Sequence, residues 1–254
     1  MKKIPIADIN FIGNEEAYVH DAVKSNWISS KGKYIDDFEF SFSKYLDVKH
    51  SITTSNGTTA IHLALESLGI GYGDEVIVPS LTFAATANAV IHSGATPVFV
   101  DSMNTHWNMD YDKISQLISK KTKAIIPVHL YGHPCDMLNI MNIAKKHKLL
   151  VIEDCAEAPG AIVDGKKVGS IGDIGCFSFF GNKILTTGEG GMCVTNDSNL
   201  NEKMRILRDH GMDKNKKYWH NEVGYNYRMT NLNAAIGLAQ LEQVDDFLKK
   251  RMEL

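Results

Sequence analysis

Along most of the chain, short apolar runs alternate with longer stretches whose apolar residues recur every three or four positions. The short runs predict buried strands and the longer stretches predict helices. Strands are expected at 51–54, 75–79, 97–101, 124–129 and 149–153, and in two runs flanking Lys183, 174–180 and 192–194, which makes seven. Asn56-Gly57-Thr58 opens the first intervening helix, whose apolar face is Ala60, Ile61, Ala64, Leu65 and Leu68, and Gly69 closes it. Further helices are expected at 82–92, 111–119 and 137–147. Strands that are apolar throughout and separated by amphipathic helices predict an α/β fold. Its sheet is mixed, mainly parallel, and covered on both faces.

The flanks read as helical. Residues 1–48 form a lead-in, with Asn14, Glu15 and Glu16 starting one helix that carries Ala17, Val19, Ala22 and Val23. A second helix carries Phe38, Phe40, Phe42 and Tyr45, expected in the core by ordinary burial preference. Residues 49–230 form the main α/β unit. Near its end, a helix over 200–208 is capped by Asp197 or Ser198, and Gly224-Tyr225-Asn226-Tyr227-Arg228 is a polar turn. Residues 231–254 start one long helix, capped by Thr230, with Leu232, Ala235, Ile236 and Ala239 on one face. The helical pattern is still running at Leu254, with no stop signal, and this reads as a truncation.

Composition narrows the function classes. The 254 residues suffice for one large domain or two small ones, and 44% hydrophobic with 22% charged content is ordinary for a globular chain. A net charge of −3 gives no global pull toward nucleic acid or an anionic membrane surface. No apolar run reaches the length of a membrane span. Met1-Lys2-Lys3-Ile4-Pro5-Ile6 has no apolar signal core behind its lysines. Cys135, Cys155, Cys176 and Cys193 are scattered without a Cys-x-x-Cys pair, so neither a metal site nor a disulfide framework is expected, and a reducing cytosol fits.

Three features carry candidate chemistry at the carboxyl ends of the expected strands, where open parallel sheets bind ligands. Asn56-Gly57-Thr58 places free N–H groups at a helix start, which suits a phosphate, although the same triplet is an ordinary cap. Asp154 follows the apolar strand and could hold a cationic ring nitrogen, or simply cap a helix. Lys183 sits between two apolar runs, with Ser178 five residues before it. A desolvated lysine loses its proton readily and condenses with carbonyls, whereas an exposed one is only a surface charge. The glycines Gly188, Gly190 and Gly191 would let the backbone pass close to a flat ligand. A phosphate cradle, a carboxylate and a buried lysine together are what pyridoxal 5′-phosphate requires.

The motifs as an ordered set resemble the DegT/DnrJ/EryC1/StrS family of sugar aminotransferases, of PLP fold type I, and within it the branch that forms GDP-perosamine. The likeness runs through Ser55-Asn56-Gly57-Thr58, the stretch 73–79, the stretch 94–101, His129-Leu130-Tyr131-Gly132-His133-Pro134-Cys135-Asp136, the stretch 152–158, Phe177-Ser178-Phe179-Phe180-Gly181-Asn182-Lys183 and the stretch 224–231. The resemblance implies that Lys183 binds the cofactor covalently and then moves protons, while Asp154 pairs with its ring nitrogen. It implies that Phe83 and Ala156 cover the two ring faces and that Gly57, Thr58 and Ser178 bind the phosphate. Asn226 would reach the phosphate from the partner in a homodimer, and Glu157 and Glu189 would lie near the ring or the sugar. The implied reaction carries an amino group from L-glutamate to C4 of a GDP-linked 4-keto-6-deoxy sugar. The same transfer on a dTDP or UDP sugar, or an inactive remnant, are the alternatives. Trp27 to Gly32 and Lys216 to His220 are candidate nucleotide-sugar loops by resemblance alone. Family members continue into a small C-terminal domain that this sequence lacks. The dehydratase branch carries histidine in place of the lysine, and Lys183 argues against it.

Overall fold

In the computed structural model of the chain, residues 9–253 are described; the expectation for Met1–Ile6 lies outside them. The elements run α1 (Glu15–Lys24), α2 (Lys33–Leu46), β1 (His50–Thr54), α3 (Gly57–Ser67), β2 (Glu75–Pro79), α4 (Ala85–His92), β3 (Thr96–Val100), α5 (Tyr111–Leu117), β4 (Thr122–Ile125), α6 (Met137–His147) and β5 (Leu150–Asp154). They continue with β6 (Ile162–Val163), β7 (Lys166–Lys167), β8 (Ile174–Ser178), β9 (Gly191–Thr195), α7 (Ser198–Arg208), α8 (Asn231–Leu241) and α9 (Val244–Met252). The seven expected strands form one sheet in the order β1-β9-β8-β5-β4-β2-β3. β9 pairs antiparallel with both neighbours, and the remaining pairings are parallel.

Period-two alternation explains how one sheet feeds three apolar clusters. Val76, Val78, Ile152, Cys176 and Cys193 face one side, under α3, α4 and α7. Ile77, Ile125 and Val151 face the other side, under α5 and α6. Phe177, Met192 and Val194 share that second side, covered by α1, α2 and α8. Both helical flanks therefore pack on the sheet and on each other. Their approach is close enough that a Cβ on Gly237 of α8 would lie 2.6 Å from the Phe38 ring.

Several expectations change in detail. Phe38 and Phe42 are buried, but Phe40 points outward, since it lies two residues from each on a helix whose apolar stripe is narrower. Of the apolar residues placed on α1, only Ala22 is buried. The terminal helix is interrupted at Glu242 and Gln243, giving α8 and α9 instead of one run. A small hairpin, β6–β7, was not expected; its turn is Asp164-Gly165, both with positive φ. Among the described residues no helix is long and apolar enough to cross a membrane.

Candidate active site

Register brings the strand ends together. Thr54 at the end of β1 and Ser178 at the end of β8 both pair with Gly191, the first residue of β9. Asp154 at the end of β5 pairs with Cys176 of the same β8. A cavity of about 620 Å³ opens over these ends, lined by Gly57, Thr58, Phe83, Asp154, Ala156, Glu157, Ser178, Lys183 and Glu189. A topology-set crevice of this kind is where open α/β sheets bind ligands.

The floor at one end is the start of α3. Asn56 Oδ1 accepts from Thr59 N–H at 2.9 Å, and Thr59 Oγ1 accepts from Asn56 N–H at 3.1 Å, a reciprocal cap. This cap satisfies the third helical N–H and leaves those of Gly57 and Thr58 without a partner among the described residues. A Cβ on Gly57 would lie 2.7 Å from Ser178 Cβ, so glycine is what lets the helix start and the Ser178 hydroxyl share one concavity. Two free N–H groups at a helix N-terminus beside a hydroxyl suit a phosphate dianion.

The opposite wall holds Asp154. Its Oδ2 accepts from Thr86 Oγ1 at 2.8 Å and its Oδ1 from Ala156 N–H at 3.1 Å. Burial pushes its pKa up from the ordinary 3.8, and the Thr86 and Ala156 hydrogen bonds oppose that only in part. The carboxylate faces the cavity, and among the described residues no cation contacts it. Lys183 stands between the two ends, in the turn after β8. It is not fully desolvated: its side chain is 18% exposed and its Nζ lies 3.5 Å from Glu157 Oε1. Glu157 is held from behind, because its Oε2 accepts from Tyr131 N–H at 2.8 Å. Tyr131 adopts φ 53°, uncommon for a residue with a side chain.

The structure thus gathers every expected site residue but one. Asn226 is exposed on the polar turn outside the cavity, and its Oδ1 accepts from Arg228 Nε at 2.9 Å. That turn still docks on the cradle, through Ser55 N–H donating to Tyr227 O at 2.8 Å. The loops Trp27 to Gly32 and Lys216 to His220 do not line this cavity. The first instead receives Asn231 of α8, which donates from Nδ2 to Trp27 O. Gly190 and Gly191 serve internal packing, since a Cβ on Gly191 would lie 2.5 Å from Asn56 O. Residues not singled out from the sequence also line the cavity: Thr82, His62, His92 and Tyr227. His62 Nδ1 lies 2.9 Å from the Tyr227 hydroxyl. The one available signal for His62 was its place four residues after Thr58, one turn along the same helix face.

Comparison with known proteins identifies the family. The profile of the DegT/DnrJ/EryC1/StrS aminotransferase family matches residues 11–254. The chain is 57% identical to a GDP-perosamine synthase of Caulobacter vibrioides over 251 residues, 99% of this chain and 68% of that protein. It is 55% identical to the GDP-perosamine synthase of Escherichia coli O157:H7 over 254 residues, 100% of this chain and 70% of that protein. Among solved structures, an aminotransferase from Psychrobacter cryohalolentis superposes with a TM-score of 0.92 at 42% identity, covering 98% of this chain and 66% of that one. The PLP form of a putative sugar aminotransferase from Streptococcus pneumoniae gives a TM-score of 0.94 at 32% identity, covering 99% and 69%. The sequence therefore spans about two thirds of the length of its relatives. The chain belongs to the DegT/DnrJ/EryC1/StrS aminotransferase family.

Proposed function

We propose that this chain carries the cofactor site of a PLP-dependent aminotransferase that moves an amino group from L-glutamate to C4 of GDP-4-keto-6-deoxy-mannose, giving GDP-perosamine. The observation that carries the reaction type is the single cavity holding an unpaired buried carboxylate, a lysine and a helix-start cradle. The similarity to the GDP-perosamine synthases supports the choice of sugar nucleotide. A dTDP or UDP sugar is the competing acceptor. The product would serve O-antigen or another surface glycan. The enzyme would work in the cytosol, consistent with four buried free cysteines.

The residues present fit the cofactor. Gly57 and Thr58 would donate their N–H groups to its phosphate, joined by the Ser178 hydroxyl. Asp154 would accept a charge-assisted hydrogen bond from the ring nitrogen, supplying the counter-charge that its own burial lacks. Phe83, 75% exposed at the cavity mouth, and Ala156 would cover the ring faces. Bound there, pyridoxal 5′-phosphate would supply an aldehyde to carry the amine and an electron-withdrawing ring. The Lys183 amine would then take and return the proton at the reacting carbon, with Glu157 holding its Nζ in reach between transfers. Asn226, exposed on a turn that abuts the cradle, would reach into a partner subunit's site, so the working unit would be a homodimer.

The test is the absorption spectrum of the purified chain with pyridoxal 5′-phosphate, before and after L-glutamate. A visible band that is lost on adding glutamate and restored by a GDP-linked 4-keto sugar supports the reading. Restoration by a dTDP or UDP sugar alone would reassign the acceptor. Absence of the band in the wild type, or its persistence in Lys183→Ala, would sink the assignment of Lys183.

A further inference from the structure

Next to Asp154, on the opposite face of β5, lies a second buried carboxylate, Glu153, that the reaction does not use. Its Oε1 accepts from Ile171 N–H at 2.8 Å and Gly172 N–H at 2.7 Å. Its Oε2 accepts from Gly169 N–H at 2.8 Å and lies 3.1 Å from His129 Nε2. His129 Nδ1 accepts from Cys135 N–H at 3.0 Å, which assigns the proton to Nε2 and makes His129 a donor to Glu153. His129, Glu153 and Cys155 offer ligand atoms within 4.8 Å of one another, yet they do not make a metal site. Both Glu153 oxygens are already taken, His129 has no free lone pair, and burial keeps the Cys155 thiol protonated by pushing its pKa well up.

This network acts on Asp154 through the main chain. β4 ends at Ile125, so the last residue of β5 is held to the following segment by two bonds only. Asp154 N–H donates to Pro127 O at 2.9 Å, and His129 N–H donates to Asp154 O at 3.1 Å. The segment 127–129 is anchored in turn by the His129 ring, which Glu153 and Cys135 hold from both sides. We infer that Glu153 and His129 are a positioning pair, which fixes how far the Asp154 carboxylate reaches toward the ring nitrogen of the cofactor. The inference rests on the reading of Asp154 given above. Burial would raise the pKa of Glu153, but the hydrogen bonds from His129, Gly172 and Gly169 bring it below the ordinary value, so the clamp is an ionised acceptor.

The experiment compares the affinity of the chain for pyridoxal 5′-phosphate with that for its analogue carrying CH in place of the ring nitrogen. A merely structural lesion weakens both ligands alike, whereas misplacing Asp154 erases the preference between them. The wild type is expected to prefer pyridoxal 5′-phosphate by about 10- to 100-fold, the range for a charge-assisted hydrogen bond. Asp154→Asn should lose that preference. His129→Gln retains an N–H donor for Glu153 and should keep most of it. His129→Asn can place Oδ1 to accept from Cys135 N–H, but its shorter amide N–H groups stop short of Glu153, and the preference should fall to within about threefold of Asp154→Asn. Circular dichroism and Tm establish that each variant is folded. If His129→Asn does not fold, Glu153→Gln takes its place with the same expected collapse. A folded His129→Asn or Glu153→Gln with the wild-type preference overturns the inference while leaving the Asp154 contact intact. No preference in the wild type overturns that contact, and the inference with it.

Discussion

Two neighbouring carboxylates on one strand meet opposite fates in this fold. Glu153 and Asp154 are both buried at the end of β5, and the pleat sends them to opposite faces of the sheet. Glu153 accepts four hydrogen bonds and is held below its ordinary pKa despite burial. Asp154 accepts two, faces a cavity, and is pushed above its ordinary pKa by burial. Burial alone therefore does not mark a functional carboxylate. The mark is the shortfall in partners: a buried acid whose donors are complete belongs to the scaffold, and one left short on the cavity side awaits a cation.

The largest effect should come from emptying the satisfied side. Glu153→Ala would leave three backbone N–H groups and the His129 Nε2–H facing nothing, and should destabilise the chain by about 3–5 kcal/mol, as removal of one partner from a buried polar network does. Urea unfolding checks this, and a loss below about 1 kcal/mol would break the comparison. Asp154→Asn should act with the opposite sign on the cofactor-free chain. It removes a group whose charged form burial penalises, so Tm should rise by about 2–4 °C, equivalent to about 1 kcal/mol in a protein of this size. The same variant should bind pyridoxal 5′-phosphate more weakly, a trade of function for stability.

The pH dependence should separate the two residues as well. Asp154 has its folded pKa above the ordinary 3.8, so its contribution to stability is fully present below that value and is lost as pH rises through the raised one. Glu153 has its folded pKa below the ordinary 4.5, so its contribution is present above that value and is lost as pH falls through the lowered one. The wild-type chain without cofactor should therefore lose ground to Asp154→Asn as pH rises above 3.8, and denaturation midpoints across a pH series would show it. Parallel curves for the two proteins would mean that Asp154 is not strained by burial.

The sequence made one of these carboxylates visible and hid the other. Asp154 stands out just past the apolar strand expected at 149–153, at the end where ligands bind, and the central strands were readable because their runs are mostly apolar. Glu153 gave no signal of its own, because three of its four donors are backbone N–H groups 16 to 19 residues away, contributed by a loop whose path depends on the fold, and the fourth is the His129 ring. The cradle was legible from Asn56-Gly57-Thr58, but the reason for Gly57 is a contact with Ser178 on a distant strand. The β6–β7 hairpin had a readable turn in Asp164-Gly165 and was passed over beside the longer strands. The break between α8 and α9 has no glycine or proline to announce it. Packing decides it instead: Gln243 at the break donates from Nε2 to Glu15 Oε1 of α1 and to Ala239 O.

The smallest and sharpest test concerns the one side chain among the described residues that donates to Asp154. Thr86 is itself fully buried on α4, and its hydroxyl donates to Asp154 Oδ2 while lying 3.0 Å from Thr82 Oγ1. Thr86→Val keeps the shape and removes the donor. If the shortfall in partners is what makes Asp154 functional, deleting one of its two donors should raise its pKa further and favour the neutral acid. Pyridoxal 5′-phosphate affinity should then fall by roughly 3- to 10-fold, the range for one net hydrogen bond, with the larger deficit at the lower pH. A cofactor titration at two pH values decides the matter: a deficit independent of pH would mean that Thr86 acts by packing, and that its hydroxyl does not tune the charge on Asp154.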